Sequence, residues 1–167
     1  PAEERARFDL SSLQVVVHAA APCPPEVKRA AIEWLGPVVY EYYSGSEGVG
    51  FCAIDSEEWL AHPGSVGRSL MGAVHIVGPD GDEVPVGEEG QVWFEPPGRF
   101  EYHGDPTKTA EAFDAHGWGT LGDIGRVDER GLLFLTGRLK EIIISGGLNI
   151  APAEIEAAAF THGGVQE

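Results

Sequence analysis

The chain has 167 residues, 43% hydrophobic and 23% charged, with 27 acidic against 11 basic residues and a formal charge of -16. That length buries one core or two small ones, and the acidic balance argues against a general nucleic-acid partner, whose phosphates need clustered Lys and Arg. No apolar run approaches the roughly 20 residues of a membrane span, and Pro1 to Arg7 lacks the apolar stretch of a signal peptide. Cys23 and Cys52 show no paired spacing, so reduced thiols and a cytoplasmic location are expected.

Leu13 to Val17, L-Q-V-V-V, is a continuous apolar run of strand length, predicted to be a parallel strand buried on both faces. It opens into His18-Ala19-Ala20-Ala21-Pro22, a loop of small residues whose histidine reads as a packing residue. Pro25 starts an amphipathic helix to about Leu35, with Val27, Ala31, Trp34 and Leu35 on one face and Glu26, Lys28, Arg29 and Glu33 largely elsewhere. Gly36-Pro37 ends it, and Val38 to Tyr43 is the next strand. This is a βαβ unit, which places the loops after its two strands side by side at the edge where open α/β sheets bind ligands.

From Gly64 the texture changes to short segments separated by turn signals: Ala73 to Val77, Gln91 to Phe94, Ile124 to Asp128 and Leu132 to Thr136. Asp80-Gly81 and Glu129-Arg130-Gly131 read as turns of a small antiparallel sheet or barrel. Asp105 caps one interrupting helix, with Pro106 in its first turn. Beyond Gly137, Glu141 to Ile144 is a β-branched apolar strand, Ser145-Gly146-Gly147 breaks it, and Leu148 to Ile150 can pair back. A last helix runs from about Pro152 to Thr161.

Three places can carry chemistry. Tyr43-Ser44-Gly45-Ser46-Glu47-Gly48 is a flexible turn with free amides and hydroxyls, the groups that hold phosphate oxygens. A lone carboxylate there makes sense with Mg²⁺ between it and phosphate, or as an incidental residue of a solvated turn. Ala20, Ala21 and Pro22 would let a flat base approach the backbone, or are a plain strand exit. Asp123, after Gly122, can accept from vicinal ribose hydroxyls, although Asp beside Gly is also ordinary turn chemistry.

The order of motifs narrows these alternatives. Gly137-Arg138-x-Lys140, Gly146-Gly147-x-Asn149 and Pro152-x-Glu154-Ile155-Glu156 resemble the hinge-and-crossover segment of the adenylate-forming superfamily. That superfamily includes acyl-CoA synthetases, peptide-synthetase adenylation domains and firefly luciferase. The turn Tyr43 to Glu47 is similar to its Tyr-Gly-x-Thr-Glu motif, with Ser44 and Ser46 in place of Gly and Thr. The resemblance implies that Tyr43 stacks on adenine, with Ala20, Ala21 and Pro22 against the other face. It implies that Ser46 and Glu47 serve catalysis, Ser46 touching phosphate and Glu47 holding Mg²⁺. Asp123 would accept from the ribose hydroxyls, Arg138 would be a second ribose or phosphate contact, Gly146 and Gly147 would line the tunnel for coenzyme A, and Lys140 would be the hinge. Leu148 stands where CoA ligases commonly have Glu.

The fold expected is mixed α/β: a βαβ portion of an open sheet, then a small antiparallel β subdomain or barrel, then the start of a C-terminal α+β domain. The corresponding spans are residues 1–63, 64–138 and 139–167. The resemblance makes the chain an internal piece of a longer enzyme, with a phosphate loop upstream of residue 1 and a catalytic lysine beyond Glu167. That enzyme would use ATP and Mg²⁺ to activate a carboxylic acid, a fatty acid by similarity to fatty-acid ligases, and pass the acyl group to coenzyme A. A domain that loads a carrier protein, and a non-catalytic nucleotide-binding or interaction fragment, are the alternatives. Alone, the piece is expected to be inactive and prone to self-association through apolar surface left uncovered by the rest of the parent chain.

Overall fold

The computed structural model describes residues 2–141, 143–145, 148–150, 152–160, 162, 164 and 165. After a short helix, α1 (Ala2–Arg5), come β1 (Val16–His18), α2 (Pro25–Leu35) and β2 (Val39–Ser44). β1 and β2 pair in parallel, with His18 opposite Glu41, so the βαβ unit is present. β3 (Phe51–Ile54) and α3 (Ser56–Ala61) follow, and neither is anticipated above. Then come β4 (Ser65–Met71), β5 (Val74–Val77), β6 (Gly90–Phe94), α4 (Pro106–Glu111), β7 (Asp123–Val127) and β8 (Leu133–Arg138).

These strands make one open mixed sheet of eight, in the order β1-β2-β3-β4-β8-β7-β6-β5. The antiparallel part therefore stays an open sheet with β5 at its edge, and β4 joins it to the βαβ part. The crossing at β4 is close: Gly67 has φ +94°, and a Cβ there would lie 1.9 Å from the Ala53 carbonyl oxygen, so only glycine fits. Buried hydroxyls satisfy the backbone at the seam. Ser65 Oγ donates to the Leu133 carbonyl at 2.9 Å, and Ser56 Oγ accepts from Val39 N–H at 3.1 Å and donates to the Val39 carbonyl at 2.6 Å. β9 (Ile143–Ser145) and β10 (Leu148–Ile150) form a separate antiparallel pair, followed by α5 (Pro152–Phe160). No helix among the described residues is long and apolar enough to cross a membrane.

Among the described residues, buried apolar side chains form two clusters. Ile32 of α2, Val39, Ile54, Trp59 of α3 and Leu132 form one. Val49, Cys52, Ile76, Val92, Phe94, Phe113 and Leu133 form the other, extended by residues around α4. Burial pushes the Cys52 thiol up to about 12.

Two expectations about the first unit are corrected. Leu13, Val15 and Val17 are exposed, and the strand itself is the shorter β1, shifted toward His18. Among the described residues, only one face of β1–β2 carries a helix. The other, with Val17, Tyr40 and the Tyr42–Phe51 stack, is open. α2 is also rotated from the expected face: Val27 and Trp34 are exposed, while Lys28 and Ile32 are buried. The reason is an ion pair. Lys28, 2% exposed, places its ammonium on the Glu41 carboxylate of β2, with the Trp59 ring centroid 4.7 Å away. A helical wheel assigns lysine outward because it cannot see a carboxylate on the next strand.

A buried charge deprived of its partner is expensive. Lys28→Met should cost about 3–5 kcal/mol, while Lys28→Met with Glu41→Leu should recover most of that. Urea unfolding of the protein carrying this chain checks it; equal losses in both variants would show that the pair does not hold α2 on the sheet.

Candidate functional site

The parallel β1–β2 pair brings the Ala20 to Pro22 loop and the Tyr43 to Gly48 loop to the same end of the sheet. The third contributor comes from hairpin register. Asp123, first residue of β7, is paired directly with Arg138, last residue of β8. The intervening turn closes where expected: Gly131 has φ +79°, and its N–H donates to the Asp128 carbonyl at 2.9 Å.

Asp123 is 5% exposed, and both its oxygens are engaged. Tyr43 Oη donates to Oδ2 at 2.5 Å, and Arg138 Nε donates to Oδ1 at 2.9 Å. Both bonds are charge-assisted. Burial, then the Asp123 charge and hydrogen bond, push the Tyr43 phenol well above its usual range, so Tyr43 remains a donor. The hydrogen bond to Asp123 and its charge raise the Arg138 guanidinium further. Arg138 is 61% exposed, so its remaining N–H groups face outward beside a carboxylate with spare lone pairs. Three of the candidate residues thus form one polar cluster.

A second cluster lies along the loop after β2. Glu47 Oε1 accepts from Tyr102 Oη at 2.9 Å, and Oε2 accepts from Ser46 Oγ at 3.3 Å. Burial acts to raise the Glu47 carboxyl, but hydrogen bonds from its own amide, Tyr102 and Ser46, with the Lys108 charge, outweigh it and hold the group below the usual carboxylate range. Lys108 Nζ lies over the Tyr102 ring, 3.7 Å from its centroid. The loop is close-packed underneath: a Cβ on Gly45 would meet Leu121 at 2.5 Å. Ser44, in the place of the superfamily's glycine, turns its hydroxyl to the Gly50 carbonyl at 2.7 Å. Its side chain therefore closes the base of the turn and leaves Ser46 exposed.

An ionised carboxylate, a neighbouring hydroxyl and an open side suit Mg²⁺ when phosphate oxygens complete its shell. The cluster fits that ion. Ala20, Ala21 and Pro22 are exposed, and among the described residues no hydrogen bond or ring contact ties them to Tyr43. They share its end of the sheet. Ala20 has φ +75°, a left-handed conformation rare outside glycine. Lys140 is exposed in a turn closed by Glu141 N–H donating to the Arg138 carbonyl at 3.0 Å. Leu139 N–H donates to the Gly122 carbonyl at 2.8 Å, so the chain is pinned just before Lys140. Gly146 and Gly147 lie outside the described residues.

Sequence reasoning missed Tyr102, Lys108 and Leu121. The available signal was the Phe100–Tyr102 alternation before the Asp105 cap, and nothing in it points to a carboxylate 55 residues away.

The model of the AMP-binding enzyme family matches residues 1–101. The chain is similar to a 3-[(3aS,4S,7aS)-7a-methyl-1,5-dioxo-octahydro-1H-inden-4-yl]propanoyl:CoA ligase of Rhodococcus jostii, at 35% identity over 98% of this chain and 31% of the relative. It is similar to a feruloyl-CoA synthase of Amycolatopsis sp, at 34% identity over 95% of this chain and 32% of the relative. Among solved structures, the amide bond synthetase McbA of Marinactinospora thermotolerans superposes with TM-score 0.79 at 34% identity, over 95% of this chain and 33% of that one. The o-succinylbenzoate CoA synthetase of Bacillus subtilis in complex with ATP and magnesium ion gives TM-score 0.79 at 25% identity, over 95% of this chain and 35% of that one. The chain thus spans about a third of the length of these relatives.

The strain at Ala20 gives a prediction. At ordinary exposed positions Ala→Gly costs about 0.5–1 kcal/mol through unfolded-chain entropy. Ala20→Gly should cost nothing or stabilise, because relief of the left-handed alanine, about 1 kcal/mol, offsets that entropy. Thermal unfolding against Ala30→Gly in α2 is the comparison; equal losses would contradict the strained loop.

Proposed function

The chain belongs to the AMP-binding enzyme family, and on that premise we propose that it is the nucleotide-handling part of a longer, AMP-forming acid–thiol ligase. The observation that carries the proposal is the buried Asp123 carboxylate, held by Tyr43 and Arg138 at the same sheet end as the loop bearing Ser46 and Glu47.

In this reading Asp123 accepts from the ribose hydroxyls and Arg138 adds a permanent charge beside them. The Tyr43 ring meets one face of adenine, and the Ala20-Ala21-Pro22 backbone meets the other. Ser46 donates to phosphate, and Glu47 would hold Mg²⁺. That ion, when bound, supplies neutralisation of phosphate charge as the substrate carboxylate attacks the α-phosphorus and pyrophosphate leaves. The protein's share of this step is positioning. A thiolate then attacks the acyl carbon, and AMP departs. Lys140 is the pivot between the two half-reactions, because the pinned segment before it and the β9–β10 pair after it leave the exposed turn to absorb a change of φ and ψ. Gly146 and Gly147, from the superfamily resemblance, leave room for the thin arm of coenzyme A.

The acid is a carboxylic acid handled by the rest of the enzyme together with this piece, and an aliphatic acid is the reading the resemblance favours. The relatives' names span a feruloyl, a medium-chain acyl and a sulfoacetate substrate. Coenzyme A is the acceptor supported by those names. A carrier protein is the alternative the superfamily resemblance leaves, and an amine acceptor is the reading favoured by the similarity to an amide bond synthetase. Two unpaired cysteines, Cys23 and Cys52, accord with action in the cytoplasm.

The test is acid-dependent exchange of labelled pyrophosphate into ATP by the full-length enzyme, over a panel of aliphatic and aromatic acids, followed by thioester formation with coenzyme A. Exchange without thioester would favour another acceptor; nucleotide binding with no exchange for any acid would favour a binding protein without catalysis. Asp123→Ala should raise the KM for ATP by about tenfold or more, since a hydrogen bond to a charged group contributes about 1.5–3 kcal/mol, and should leave the KM for the acid alone. With a 2′,3′-dideoxy nucleotide the variant and the wild type should converge; an equal loss with both nucleotides would point to a folding defect.

A further inference from the structure

Resting on the reading of Glu47 as the Mg²⁺ ligand, we propose that Tyr102 is a positioning residue that fixes the Glu47 carboxylate for the metal. Glu47 sits on a loop crossed by one short backbone bond, Gly48 N–H to the Gly45 carbonyl at 3.1 Å. A glutamate on such a loop samples many rotamers, and immobilising it when a ligand arrives weakens binding. Tyr102 removes that freedom in advance, because it is itself anchored.

Its phenol is the donor to Glu47 Oε1, at 2.9 Å. Its ring lies edge-on to Phe100 with centroids 5.1 Å apart, and Phe100 in turn packs against buried Phe113 at 5.1 Å. Lys108 covers its ring. The backbone is held as firmly: Tyr102 N–H donates to Thr109 Oγ1 at 2.9 Å, Thr109 Oγ1 donates to the Asp105 carbonyl at 2.8 Å, and Asp105 N–H donates to the Tyr102 carbonyl at 3.1 Å. An unbroken set of contacts therefore runs from α4 and the second core to one oxygen of Glu47. The other oxygen accepts from Ser46 Oγ at a long 3.3 Å, a contact that a stronger ligand displaces. Among the described residues, Lys108 is the charged group that acts on this carboxylate.

The effect is read without turnover, as the ratio of dissociation constants for a non-hydrolysable ATP analogue in EDTA and in Mg²⁺, measured on the full-length enzyme. Glu47→Gln should collapse this ratio. Tyr102→Phe keeps the ring, the Lys108 contact and the backbone bonds, and should lower the ratio by about tenfold through its Mg²⁺ arm, with affinity in EDTA unchanged. Added to Glu47→Gln it should change nothing further, since it acts only through that carboxylate. An unchanged ratio in Tyr102→Phe, additive losses in the double variant, or equal weakening with and without metal would overturn the positioning role while leaving Glu47 in place. An unchanged ratio in Glu47→Gln would remove the metal reading and the inference with it.

Discussion

The arrangement depends on one buried carboxylate. At 5% exposure Asp123 needs hydrogen-bond donors in place of water, and the fold supplies them from two distant segments, Tyr43 at the end of β2 and Arg138 at the end of β8. Both are charge-assisted; the Tyr43 bond is part-buried and resists replacement by water, while Arg138, 61% exposed, holds its end at the solvent edge. The carboxylate thereby ties the end of the βαβ unit to the last hairpin across a sheet in which β2 and β7 are not neighbours. Gly45 lies directly over the Leu121 side chain at the same place, so a Cβ there would require Leu121 and Glu47 to shift.

Much of this was legible in the sequence, and the reasons differ by element. α2 was readable to the residue because Pro25 and Gly36 punctuate it. The α4 cap was readable because Asp105 accepts from Lys108 N–H, as a local signal demands. The β7–β8 turn followed from Glu129-Arg130-Gly131. β3 and α3 were missed because Phe51 to Ala61 mixes short apolar and acidic stretches whose identity is set by pairing with β2 and β4. The inward Lys28 was missed for the same reason: its partner Glu41 is a tertiary neighbour on β2.

The same division applies to the site. Tyr43, Ser46, Glu47, Asp123 and Arg138 stood out because their residue types suit a nucleotide and their order resembles a known superfamily. That Tyr43, Asp123 and Arg138 touch one another is a result of register and packing. Tyr102 had no such signal, since its role is visible only when the loop before α4 folds back on the loop after β2. Residues that meet a ligand are constrained by chemistry that a sequence displays; residues that hold those in place are constrained by geometry that it does not.

The central claim is that Asp123, with Tyr43 and Arg138, is the ribose end of a nucleotide site. A crystal structure of the full-length enzyme with a non-hydrolysable acyl-adenylate analogue tests it most directly. The account predicts both ribose hydroxyls donating to the Asp123 carboxylate, Arg138 beside them and the Tyr43 bond to Asp123 retained. A nucleotide bound away from Asp123, with the Tyr43–Asp123–Arg138 cluster untouched, would contradict it.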